Sequence, residues 1–116
     1  MVTLYEIAEV LVNKTKERKI ITYGELSNEL DKRIIARGLP VRLTQINDYA
    51  EIHNIPLLSA IVVNSRNREP GNGFFEKYAP HMQPNQWHRF WQEELEEIWN
   101  YEEWDKFLNR LRASGN

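Results

Sequence analysis

Two Thr-x-x-Glu pairs, Thr3 with Glu6 and Thr22 with Glu25, fix where the first half of this chain can start a helix. In such a pair the threonine hydroxyl accepts from the backbone N–H three residues on. The glutamate reaches back to the threonine N–H, so two of the donors that a helix start leaves open are satisfied at once. After the first pair, Ile7, Val10 and Leu11 recur at helical spacing and predict a helix over 4–18. Ile20 to Thr22 reads as a short strand leading into the second pair. Leu26, Leu30 and Ile34 lie four apart and predict a helix from Tyr23 to about Arg37, stopped by Gly38 and Pro40. A third helix is expected from Leu43 to about His53, with Leu43, Ile46, Tyr49 and Ala50 facing inward. Leu58 to Val63 reads as a buried strand, followed by the polar loop NSRNREPGNG. Trp87, Phe90, Trp91, Leu95 and Ile98 fit a fourth helix with Glu93 and Glu94 facing out, and Trp104, Phe107, Leu108 and Leu111 fit a fifth.

At 116 residues, 41% of them hydrophobic, the chain has the size and apolar content of one domain, 1–116, with no linker or repeat inside it. Cysteine is absent, which excludes a disulfide framework, a thiolate metal site and a thiol nucleophile. No run of about twenty apolar residues is present, and the charges near the N-terminus follow the apolar part, the reverse of a secretory signal. A cytoplasmic protein with no membrane partner is the expectation. A net charge of −2 gives no global attraction to nucleic acid, so any such binding needs a local basic patch.

The order helix, short strand, helix, helix, strand, loop is that of a winged helix. The stretch ITYGEL, the helix pair after it, and a strand ending in IVVN before a polar loop resemble the DNA-binding domain of the O6-alkylguanine-DNA alkyltransferases and their alkyltransferase-like relatives, over roughly residues 4–73. The fold expected is therefore an α/β, winged-helix-like core over 1–75 with a C-terminal helical extension over 76–116. In that family a Pro-Cys-His-Arg motif precedes two valines, whereas here Leu58, Ser59, Ala60 and Ile61 precede Val62 and Val63. Alkyl transfer needs a thiolate activated by histidine, so no alkyltransferase chemistry and no enzyme activity are expected. Ser59 has no nucleophile elbow and no nearby SxxK lysine, and reads as a core serine or one bonded to backbone.

The resemblance implies that Tyr23 helps turn a nucleotide out of the duplex, that Arg42 fills the space left in the stack, and that 43–53 is a recognition helix. Thr44, Gln45 and Asn47 on that helix can contact base edges or phosphates, while Asp48 and Glu51 oppose a backbone they face. Lys32, Arg33, Arg37 and Arg42, with Arg66 and Arg68 in the loop, form either a stripe for phosphate contacts or ordinary solvated charge. The loop itself reads as a DNA-contacting wing, a plain long hairpin, or a weak match to a glycine-rich phosphate cradle. The partner expected first is duplex DNA, bound without catalysis.

The four tryptophans, all in the last third of the chain, alternate with glutamates there, and the family has no such extension. Most of the aromatics read as core. The acidic side, Glu93, Glu94, Glu96, Glu97, Glu102, Glu103 and Asp105, is a solvated face or a docking surface for a basic protein partner. The second option suits an inhibitor or adaptor, of the kind found in phage and defence systems. A small-nucleotide pocket where the family receives its flipped base is a third possibility. His53, His81 and His88 lack the spacing of a ligand set, so neither a metal nor a cofactor is expected.

Overall fold

Both capping boxes form, and they open the first two helices of the computed structural model, which describes residues 1–115. Asn116, the last residue of the expected domain, lies outside the described residues. Helix α1 (Leu4–Lys16) buries Leu4, Ile7, Ala8, Leu11 and Val12, the face its apolar spacing predicts. Strand β1 (Ile21–Thr22) then leads into helix α2 (Tyr23–Glu29).

The second helix is shorter than its leucine spacing predicts. After Glu29 the chain reverses: the Lys32 N–H donates to the Ser27 carbonyl at 2.8 Å, and Asp31 and Lys32 both take left-handed backbone with φ of 57°. The Ser27 hydroxyl donates to the Ile34 carbonyl at 2.7 Å and holds the turn closed. Leu26 and Leu30 are buried from the helix, and Ile34 packs on the same core from the turn, so four-residue spacing alone does not distinguish the two. Helix α3 (Leu39–Ile52) starts four residues before the expected Leu43. Pro40 sits in its first turn, where a missing N–H costs nothing, and opens this helix.

The expected strand over 58–63 is mostly a 3-10 turn, Leu58–Ile61, and only Val62–Val63 forms strand β2. The two strands pair in parallel, Ile21 with Val62 and Thr22 with Val63, with α2 and α3 in the crossover between them. The turn does without a ladder because side chains serve its backbone. The Ser59 N–H donates to the Asn47 side chain at 3.2 Å, the Ala60 carbonyl accepts from Trp91 Nε1 at 2.8 Å, and the Leu57 N–H donates to Glu94 at 2.9 Å. Glu94 is thus half-buried and engaged, not facing out as the sequence predicts, and burial pushes its carboxyl above the ordinary range.

Residues 64–71 close on themselves instead of returning as a hairpin. The Asn64 N–H donates to the Glu69 carbonyl and the Arg68 N–H to the Asn64 carbonyl, both at 2.9 Å, with Arg68 at φ 58°. The chain then enters a helix that the sequence pattern does not predict, α4 (Asn72–Tyr78), whose Phe75 stacks on Trp87 at 4.9 Å. Helices α5 (Trp87–Asn100) and α6 (Trp104–Ala113) follow. Trp91, Ile98, Trp104, Phe107 and Leu111 join the same core as α1, α3 and the 58–61 turn. The result is a mostly helical domain with one small parallel sheet, and among the described residues no helix is long and apolar enough to cross a membrane.

The second capping box is the joint between sheet and helix. Thr22→Ala removes the hydroxyl that accepts from the Glu25 N–H at 3.1 Å and is expected to cost about 1 kcal/mol in chemical denaturation at pH 7. Backbone and side-chain hydrogen bonds from Thr22 hold the Glu25 carboxyl below its ordinary value of 4.5. Its contribution is complete above that value and is lost as pH falls through the lowered one, so Glu25→Gln should flatten the acid limb of the stability profile.

Candidate functional site

Asn47 lies on the inward side of α3 among Leu43, Ile46 and Ala50, and only 1% of it is exposed. Its Oδ1 accepts from the Ser59 N–H, and its Nδ2 donates to Ser59 Oγ at 2.5 Å and to Tyr78 Oη at 3.2 Å. One amide therefore ties α3 to the 58–61 turn and to α4. Above this junction opens a cavity of about 360 Å³, lined by Tyr23, Thr44, Asn47, Ser59, Lys77 and Tyr78 among others. Phe74, Pro40 and Pro70 supply apolar wall. The volume is at the small end of the roughly 300–1,000 Å³ typical of ligand pockets.

The polar groups of the cavity are hydroxyls, one amide and one cation. Burial pushes the phenols of Tyr23 and Tyr78 upward, so both stay neutral donors at physiological pH. Lys77 stands 3.6 Å from Asp48, in a solvent-exposed pairing. Ser59 is not set up as a nucleophile: the group bonded to its Oγ is an amide N–H, which gives a proton and cannot take one. Among the described residues no cluster of three or more His, Cys, Asp or Glu side chains is placed to hold a metal.

Tyr23 also borders a second, shallower groove of about 580 Å³, formed by Thr22, Gly24, Ala36 and residues 64–67. Arg66 lines this groove, and Arg68 is close enough to Glu25 to act on its carboxyl. Arg37, next to the groove residue Ala36, is exposed. Arg37, Arg66 and Arg68 have no carboxylate within ion-pair distance among the described residues.

The residues singled out in the sequence therefore separate into two groups. Tyr23, Thr44 and Asn47 come together at the cavity, with Arg66 beside it in the adjoining groove. Asn47 does so from the buried side of α3, not from an outward base-reading face. Arg33 is drawn away to Glu6 at 2.6 Å. Arg42 donates from Nη2 to the Val2 carbonyl at 2.8 Å and, with Gln45, Asp48, Tyr49, Ile52 and Leu4, borders a different groove on α3. Its guanidinium anchors the N-terminal segment in this conformation. Phe74, Lys77 and Tyr78 are site residues that sequence reasoning missed, although Phe74, Phe75 and Tyr78 have the spacing of a short helix face.

No protein-family model, no curated protein and no solved structure matches the chain.

Asn47→Ala should leave the buried Ser59 N–H without its acceptor, a loss of about 1–3 kcal/mol. Urea denaturation of the variant measures it, and wild-type stability would mean that Asn47 does not hold the turn.

Proposed function

We propose that this protein binds duplex DNA without catalysis, in the manner of an alkyltransferase-like winged-helix protein, and receives an unpaired nucleotide in the Tyr23–Ser59 cavity. The observation that supports this reading best is that Tyr23 and Ser59 line one cavity. The resemblance makes the first the residue that turns the nucleotide, and the second stands where the family carries its cysteine. The composition of the cavity wall agrees with it: flat apolar and aromatic groups for a base, with a few hydroxyl donors to orient it. The groove that shares Tyr23 carries Arg66, with Arg68 in the same loop, and offers cations to the flanking phosphates. Serine in place of cysteine makes the act one of recognition only. In this reading Arg42 must leave the Val2 carbonyl before it can enter a base stack.

A second reading takes the acidic α5 surface as a docking site for a basic protein. A groove of about 560 Å³ there is lined by Arg89, Gln92, Glu93, Leu95, Glu96 and Trp99, an apolar strip between carboxylates. Trp91 and Trp104 belong to the core and Trp87 and Trp99 pack against it, which leaves a smaller aromatic surface than four tryptophans suggest.

Fluorescence anisotropy with a short labelled duplex tests the DNA reading. Binding should weaken steeply with salt. Replacing Arg66 and Arg68 together by alanine should lower affinity and reduce the slope against log salt by about 2, since each arginine neutralises one phosphate. Absence of binding at low salt would reject this reading.

A further inference from the structure

The bonding of Asn47 determines which way two hydroxyl hydrogens are offered. A backbone N–H can only donate, so the amide atom facing Ser59 N at 3.2 Å is the oxygen, and the amide nitrogen is the end that faces the two hydroxyls. That nitrogen lies 2.5 Å from Ser59 Oγ and 3.2 Å from Tyr78 Oη. An amide NH2 carries two hydrogens and accepts none, so both hydroxyl oxygens receive from it. Each hydroxyl then has its own hydrogen left to give. Neither finds an acceptor among the described residues, and both residues line the cavity. Tyr23, a third hydroxyl on the wall, likewise makes no hydrogen bond within the protein among the described residues.

We infer that Ser59 and Tyr78, held by Asn47, form a floor with two hydroxyl hydrogens left to donate, which selects an occupant by the acceptors on its inner edge, favouring a keto base over an amino base. The inference rests on the DNA reading above, in which that occupant is an unpaired nucleotide of a duplex. A carbonyl oxygen, with or without a neighbouring ring nitrogen that accepts, satisfies the floor. An exocyclic amino group can only give its hydrogen to the remaining lone pair of a hydroxyl oxygen, and leaves the desolvated hydroxyl hydrogen without an acceptor. One such mismatch is worth roughly tenfold in affinity.

Two duplexes that differ in a single base opposite an abasic site, hypoxanthine in one and adenine in the other, put the inference to the test, with a fully paired duplex as reference. These bases have the same shape; hypoxanthine carries a carbonyl at C6 and a hydrogen on N1, adenine an amino group at C6 and none on N1, so on the edge formed by C6 and N7 they differ only in offering an acceptor or a donor beside N7. The hypoxanthine duplex should bind about tenfold more tightly than the adenine duplex. In Asn47→Asp the carboxylate accepts from both hydroxyls, turns their lone pairs toward the cavity, and should abolish or reverse the preference. Ser59→Ala removes one donor with little change of volume and should reduce the preference, which keeps the test open if Asn47→Asp does not fold. Equal affinity for hypoxanthine and adenine, both above the paired duplex, would overturn the donor floor and leave nucleotide entry standing. Equal affinity for all three duplexes would overturn both.

Discussion

The buried side chain of Asn47 holds together parts of the molecule that no β-ladder joins. The segment before β2 runs through the core as a tight turn, and its polar backbone cannot be left unpaired there. Three side chains from two helices answer for it: Asn47 of α3 at Ser59, and Trp91 and Glu94 of α5 at Ala60 and Leu57. Asn47 alone extends the connection to α4 through Tyr78. The cavity opens against this junction, bordered by residues of α3, the turn and α4. Loss of the amide would therefore disturb the cavity's shape as well as its floor.

Charge is distributed unevenly over a chain whose net charge is only −2. Arg37, Arg66 and Arg68 belong to the segments at the Tyr23 groove, whereas Glu93 and Glu96 border the groove on α5. Screening over about 8 Å at physiological ionic strength lets a local group of cations act on a polyanion despite the overall balance. The proposed DNA surface and the alternative protein surface therefore fall on different elements.

Much of the helical framework was legible because its signals are local. Thr3 with Glu6 and Thr22 with Glu25 mark helix starts by hydrogen bonds within four residues, and both form. The signals that failed depend on what lies across the fold. Leu26, Leu30 and Ile34 satisfy one apolar face whether the chain continues as a helix or turns back at Asp31 and Lys32. Leu58 to Val63 is apolar enough for a strand, but Asn47 and Trp91 take up backbone groups at Ser59 and Ala60 that a strand would have paired. At the site, Tyr23 was marked by the resemblance. Asn47 was marked for contacts to DNA, although its place four residues after Leu43 and three before Ala50 puts it on the inward face that the apolar spacing already defines. Lys77 and Tyr78 lie on a helix of seven residues behind Pro70 and Gly71, where turn residues masked the helical spacing.

The Tyr23–Ser59 cavity, and not the acidic face of α5, is the proposed functional surface. The most direct measurement is an NMR titration of the labelled protein with a duplex carrying one unpaired nucleotide. Backbone amide shifts should concentrate at Tyr23, Gly24, Ser59, residues 64–69, Gly71 and Tyr78, with saturation, and should leave Glu93, Glu96 and Trp99 unmoved. Shifts confined to α5, or no saturable shifts at all, would contradict that assignment.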